Sequence, residues 1–342
     1  MIKGALVVTN NNLSNKIFEQ NKDYQNDRGF MNIYSALKKI FFDFGVELNT
    51  QDYYKKSEAD FYLYADNNNN FNKSNIKNSF LIVREPPTAL KTNHLKSNEA
   101  KFEKIITWDD TKVDNKKYIK YNYSYNFNNY NKNLKKFKKD REKLSVMIFR
   151  KNFSTHKDQL YTKRENIIKW YQENDSKSFD LYGKDWDKFQ IRTYPLTFFN
   201  RFNLTDKLFS GFNFINDSVY KGQINNKQDV MMDYYFSYCY ENIANIHGYI
   251  SEKIFDCLFS ATIPIYLGAS NILDHIPKEI FIDARNFNSI SDINNYIKSR
   301  SKKQISLIQD NIIDYINSEK IIVHSPERNA EIIVQTVIKS IQ

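Results

Sequence analysis

Residues 235–267 read YFSYCYENIANIHGYISEKIFDCLFSATIPIYL. The first six are aromatic or small and apolar, a pattern for a buried strand. A polar turn follows, then apolar positions at helical spacing over about 251–260. Ile263-Pro264-Ile265-Tyr266-Leu267 is a second short apolar run. Strand, helix and strand in this order form a unit whose two strands lie parallel, with the helix on one face. In such folds ligands bind beyond the carboxyl ends of the strands, here the turn 241–251.

Outward from this unit the same alternation recurs. Upstream lie the expected strand 144–149, a helix over about 161–172 and the strand 179–182, ended by Gly183. Residues 186–225 read as irregular. Downstream come a short strand at Phe281-Ile282 and helices over roughly 290–300, 303–317 and 326–341; Pro326 suits a first helical turn. In the first third, 5–8, 61–64, 80–83 and 104–108 read as strands. A helix follows Asp27, with Ile33, Leu37, Ile40, Phe41 and Phe44 three and four apart, and Gly45 ends it. The expected fold is α/β: two doubly wound, Rossmann-like domains in series, facing a cleft. Residues 1–125 form the first, 126–143 a basic linker and 144–320 the second. The last helix, 321–342, either packs back on the first domain or engages a membrane.

A chain of 342 residues suits two domains, and 41% hydrophobic with 15% aromatic residues can fill their cores. Two cysteines, Cys239 and Cys257, make neither a disulfide framework nor a four-thiolate zinc site. The expected compartment is a reducing cytoplasm. The apolar start is too short for a signal peptide, and no run approaches the roughly 20 residues that span a bilayer. The net charge of +10 is concentrated: residues 91–151 hold 17 Lys/Arg against 7 Asp/Glu, so the rest is neutral. Residues 132–143 read as a basic helix, either a solvated connection or a peripheral contact with anionic lipid at the inner membrane face or with an anionic acceptor.

The turn and helix start at 240–253 offer chemistry. Free N–H groups at a helix start favour an anion such as a diphosphate. Lys253 stands in the first turn, where the helix dipole disfavours a cation unless an anion bridges the two. Glu252 beside it can accept hydrogen bonds from a ribose or sugar diol. The plainer account is a Glu-Lys pair with Ser251 as the cap.

Tyr240-Glu241-Asn242, Gly248-Tyr249-Ile250-Ser251-Glu252-Lys253-Ile254 and Ile263-Pro264-Ile265-Tyr266-Leu267-Gly268-Ala269 occur in an order that resembles the donor-binding signature of α-1,3/4-fucosyltransferases, glycosyltransferase family 10, of bacterial type. Pro277, Ile280-Phe281-Ile282 and Phe287 continue the match; weaker similarity runs back to about Ser145 and weaker still to Phe80. The resemblance implies a GT-B fold, acceptor side N-terminal and nucleotide-sugar side C-terminal, with GDP-fucose as donor substrate. It implies that Lys253 contacts the diphosphate, that Glu252 holds ribose or fucose hydroxyls and that Tyr249 and Asn242 line the donor site. Arg164 matches the family's diphosphate arginine, and a guanidinium makes paired bonds to phosphate oxygens.

Phe80-Leu81-Ile82-Val83-Arg84-Glu85-Pro86-Pro87 places a carboxylate directly after a strand, held extended by Pro86. It resembles the family position of the general base, which an inverting transfer needs to take the acceptor's proton. Pairing of Glu85 with Arg84 or a nearby lysine is the competing account. Where the family has lysine before its F-E-N run, this chain has Tyr235, so a cation is missing or comes from Lys221 or Lys227. Tyr240, Ser251 and Ile243 are further departures, and they touch strict fucose specificity. His247 adjoins the motif. The other histidines lack metal-ligand spacing, and Asp109-Asp110 reads as a helix cap. No metal site and no required cofactor are expected, a divalent ion being at most stimulatory. The expected activity is inverting transfer of fucose to a glycan hydroxyl, α-1,3 to a GlcNAc-type sugar of a bacterial surface polysaccharide such as a lipopolysaccharide. The alternatives are another nucleotide sugar, an inactive paralogue that binds without turnover, and a nucleic-acid-binding surface on 91–151.

Overall fold

The computed structural model describes residues 1–19, 32–55, 58–67, 77–126, 139–188 and 215–342. The first domain contains β1 (Ile2–Val7), α1 (Asn32–Asp43), β2 (Val46–Thr50), β3 (Phe61–Ala65), β4 (Ser79–Ile82), the single-turn α2 (Lys96–Glu99), β5 (Lys104–Thr107) and β6 (Tyr118–Lys120). Its sheet is parallel, in the order β2-β1-β3-β4-β5-β6. The second contains β7 (Lys143–Ile148), α3 (Tyr161–Asn174), β8 (Phe179–Tyr182), α4 (Lys227–Met231), β9 (Tyr234–Tyr240), α5 (Glu252–Leu258), β10 (Ile263–Leu267), β11 (Ile282–Asp283), α6 (Ile290–Lys298), α7 (Lys302–Asn317) and α8 (Pro326–Ile341). Its parallel order is β11-β10-β9-β7-β8.

Both sheets thus have the doubly wound order 2-1-3-4-5, and in each the order reverses beside the first strand. In the second domain that switch point lies between β7 and β9. The segments leaving those two strands carry Arg164 and Asn242, which is how the topology selects the site.

Each domain has its own core. Phe61, Phe80, Leu63 and Ile106 fill the first; Tyr171, Phe179, Phe236 and Ile265 fill the second. The last helix belongs to the first core: Ala330, Ile333, Val334 and Val337 are fully buried there and α8 packs on α1. Ser325 caps it through the Arg328 N–H, and Pro326 occupies its first turn.

The linker differs from expectation at its C-terminal end. Lys143 opens β7 instead of closing a helix, and residues 127–138 lie outside the described residues. At the other end Tyr121, Tyr123 and Tyr125 are buried, on alternate positions. Tyr121 donates its hydroxyl to the Val83 carbonyl (2.8 Å), while Tyr125 stacks on Phe259 and donates to Asp256 of α5 (3.0 Å). This segment is a packed junction between the domains.

Candidate functional site

The turn after β9 is organised by Glu241, which is wholly buried. Its carboxylate accepts the Ser251 N–H (2.8 Å) and the Ser251 hydroxyl (2.6 Å) and stands 3.3 Å from Lys253 Nζ. Ser251 therefore does not cap α5 with its side chain; its hydroxyl donates to Glu241 and accepts from Lys253 (2.9 Å). Lys253 also reaches Glu252 at 3.3 Å. Burial opposes the lysine's charge, but Glu252 and Glu241 outweigh it and raise its pKa. Burial likewise opposes the Glu252 carboxylate, yet Lys253 and Lys227 bring its pKa down to about 2. Both groups are thus charged at neutral pH.

Gly248 makes the turn possible. It adopts φ +76, and a Cβ there would meet the Trp108 carbonyl oxygen of the first domain at 2.2 Å. Tyr249 follows, 2% exposed, with its ring 4.8 Å from that of Trp108. The turn is thereby pressed onto the opposite domain.

Arg164, in the first turn of α3, is buried between Phe149 and Tyr161, its guanidinium 4.0 Å from the Phe149 ring centroid. It donates to the Tyr240 carbonyl (2.6 Å) and to Asn242 Oδ1 (3.1 Å). Among the described residues its buried Nε has no hydrogen-bond partner. A buried donor left this way costs stability unless something else takes it up. Asn242 extends the chain of contacts, donating to the Tyr249 hydroxyl at 3.4 Å. Arg164, Asn242, Tyr249, Glu252 and Lys253 therefore form one connected cluster beyond the ends of β7 and β9.

Glu85 stands on the other wall. Arg84 turns away from it, toward Asp66 and the Tyr34 hydroxyl. No hydrogen bond or ion pair from a described residue reaches the half-buried Glu85 carboxylate. Burial raises its pKa; Asp66 and Glu252 add to the rise, and Arg84 and Lys253 oppose it. The charges of α5 thus act on Glu85 from across the cleft. A carboxylate with a free oxygen and a raised pKa is suited to accept a proton near neutrality.

The weaker sequence candidates divide. Lys227 joins the cluster: it pairs with Asp256 (3.5 Å) and its charge acts on Glu252. Lys221 does not, because it lies 3.8 Å from Asp180, with Lys143 and Tyr234 around the same carboxylate. His247 is exposed, and its carbonyl accepts the Asp110 N–H across the cleft. Asp109-Asp110 is not a helix cap. Asp109 closes a turn onto Thr111, and Asp110 clasps Lys120 (2.5 Å) and, in the other domain, His275 (2.8 Å) and Asn271 (2.9 Å).

Three contributors escape the sequence reading. Glu241 was visible only as a letter of the motif; a carboxylate placed directly at a strand end is the one local signal for it. Asp66 and Trp108 act through partners far along the chain, which spacing does not reveal. Among the described residues no three His, Cys, Asp or Glu side chains come together as a metal site, and no helix is long and apolar enough to cross a membrane.

Residues 205–308 match the model of glycosyltransferase family 10 (fucosyltransferase), C-terminal part. Over this stretch the chain resembles family 10 glycosyltransferases. It is 28% identical over 99 residues to the alpha-(1,3)-fucosyltransferase FucT of Helicobacter pylori, covering 28% of this chain and 20% of that protein. To the alpha-(1,4)-fucosyltransferase of Arabidopsis thaliana it is 40% identical over 68 residues, 20% of this chain and 17% of that one. The match thus spans about a fifth of the curated relatives' length. A crystal structure of an alpha1,3-fucosyltransferase with GDP-fucose superposes with a TM-score of 0.56 at 14% identity, over 99% of this chain and 90% of that one. That likeness establishes the GT-B arrangement of the two domains. The family 10 match contains Glu241, Asn242, Tyr249, Glu252 and Lys253, and Arg164 and Glu85 lie outside it.

Proposed function

We propose that this protein is an inverting glycosyltransferase that moves fucose from GDP-fucose to a hydroxyl of a glycan acceptor. One observation carries the reading: the Glu85 carboxylate of the first domain, unpaired among the described residues, lies within electrostatic reach of Glu252 and Lys253 of the second. Lys253 and the unsatisfied Nε of Arg164 are the donors for the diphosphate, and they stabilise its growing charge as the sugar leaves. Glu252 accepts from ribose or sugar hydroxyls. Glu85 takes the proton of the acceptor hydroxyl while that oxygen attacks the anomeric carbon on the face opposite GDP. The chemistry asks for no cofactor and no metal; the residues present supply the charges.

The acceptor is the less constrained half, because its wall lies outside the family match; a GlcNAc-type sugar of a surface polysaccharide, joined α-1,3, is the working assignment. The basic segment does not favour nucleic acid as a ligand. Lys139 and Lys143 pair with carboxylates outside the segment, Asp310 and Asp180, which lowers its surplus of positive charge below what the composition implies. We infer a cytoplasmic location for the reaction, either free in that compartment or at the inner face of the membrane.

Titration calorimetry with GDP, GDP-fucose, GDP-mannose and UDP-galactose, each with and without magnesium, tests the donor. Guanine-specific binding that disappears in Lys253→Ala supports the proposal. A preference for UDP-galactose moves the donor, and no binding to any of the four removes the transferase reading.

A further inference from the structure

The backbone that carries Glu85 has left the sheet. β4 ends at Ile82, and only the Val83 N–H still joins the ladder, at the Ile106 carbonyl (2.9 Å). Pro86 and Pro87 follow and supply no N–H groups. The four backbone polar groups of Arg84 and Glu85 are instead all held by side chains. Both N–H groups donate to the same oxygen, Asp66 Oδ1, at 2.7 and 3.1 Å. The Arg84 carbonyl accepts from Trp108 Nε1 (3.1 Å). The Glu85 carbonyl lies 2.9 Å from His94 Nε2, which must carry the proton because a carbonyl only accepts.

Asp66 is built to serve this grip. It follows β3, the strand beside β4, and its own N–H bonds the Ile82 carbonyl (3.0 Å). Its φ is +66, a conformation that aspartate and asparagine tolerate and most side chains do not. It is 6% exposed, and Asn93 Nδ2 donates to the same Oδ1 at 2.6 Å. Asn93 in turn accepts the Asn67 N–H (2.7 Å). The bend at Asp66 therefore turns a buried carboxylate toward the backbone of the neighbouring strand's exit.

We propose that Asp66 is the positioning residue of the Glu85 base: its Oδ1 holds the Arg84 and Glu85 N–H groups so that the Glu85 carboxylate faces the donor wall. The proposal rests on the assignment of Glu85 as the base. It adds a second, electrostatic effect, since the Asp66 charge disfavours ionisation of Glu85. The other titratable groups around Glu85 are Arg84, Glu252 and Lys253, the phenols of Tyr34, Tyr121, Tyr123 and Tyr249, and the His94 ring.

The test uses the full chain, GDP-fucose as donor, and N-acetyllactosamine or water as acceptor, with GDP release as the readout. Asp66→Asn keeps the accepting oxygen and tolerates the left-handed backbone but removes the charge. It is expected to keep kcat within a few fold while the acid limb of the pH–rate profile moves to lower pH. Asp66→Ala removes the grip; kcat is expected to fall about 100-fold, the order reported for small misplacements of a reacting group, with GDP affinity on the other domain unchanged. In a Glu85→Gln background, Asp66→Ala is expected to cause no further loss.

Wild-type kcat in Asp66→Ala overturns the proposal. So does a loss of GDP binding that parallels the loss of rate, or losses that multiply in the double variant. Glu85→Gln at the wild-type rate removes the base assignment itself, whatever Asp66 does. A wild-type chain that releases no GDP removes the function and the proposal together.

Discussion

Lys253 Nζ lies 3.3 Å from a carboxylate oxygen of Glu241, a residue with no exposed surface. The pair locks the start of α5 to the end of β9, and Ser251 completes the lock with two hydrogen bonds. Glu241→Gln keeps the shape and removes the charge. Breaking a buried pair from one side costs about 3 to 5 kcal/mol, and the expected loss in denaturant unfolding is near the lower figure because Glu252 still faces the lysine. A loss below about 1 kcal/mol, the net worth of an ordinary hydrogen bond, would show that the lock is not structural.

Arg164 is held on one side only. Arg164→Lys retains a charge but loses the fork and the stacking on Phe149. It is expected to weaken GDP binding roughly tenfold, the equivalent of one charge-assisted hydrogen bond, as read by calorimetry. Equal affinity would mean that the diphosphate is held without this side chain.

Glu85→Gln is expected to lower kcat by about 10² to 10⁴, the usual range for a lost general base, with little change in the KM for the donor. The sign of the pH dependence follows from the raised pKa. The base works ionised, so the rate falls as pH drops through a value above the ordinary carboxylate range. An acid limb at the ordinary value, or none, would contradict the assignment.

His324 gives the protein an acid-sensitive junction. It is fully buried against Phe255, and burial brings its pKa down to about 3. Between that value and the ordinary 6.5 the unfolded chain binds the proton and the folded chain does not. Stability is therefore expected to fall as pH drops below about 6.5, by up to roughly 1.4 kcal/mol per unit. His324→Phe should flatten that slope in urea titrations between pH 4 and 7. An unchanged slope would place the sensitivity elsewhere.

Where a segment's neighbours are set by its own pattern, the sequence was enough. Ile263–Leu267 and Phe179–Tyr182 are buried strands bounded by polar turns, and their limits agree with the structure. Val46–Thr50 was not seen as a strand because Asn49 and Thr50 point inward, where they bond Asn15. Tyr118–Lys120 is a half-buried edge strand of three residues, too short for a pattern. The residues around Glu85 illustrate the other limit. Glu85 is marked by the prolines that follow it, but Asp66, 19 residues earlier, is tied to it only by the pairing of β3 with β4. Ser251 read as a cap for the same reason: its hydroxyl goes to Glu241, a choice that helix spacing does not encode.

The chain passes between the domains twice, and the two passages touch. Tyr125 N–H bonds the His324 carbonyl (2.8 Å), and the Asn122 N–H bonds Asn329 (2.8 Å) at the start of α8. A single tether would let one domain swivel freely about the other. Two tethers bonded side by side act like the knuckles of a door: they permit swinging about one axis and resist torsion. Asp110, which meets His275 and Asn271 and whose N–H meets the His247 carbonyl, joins the same two domains a third time and opposes that swing.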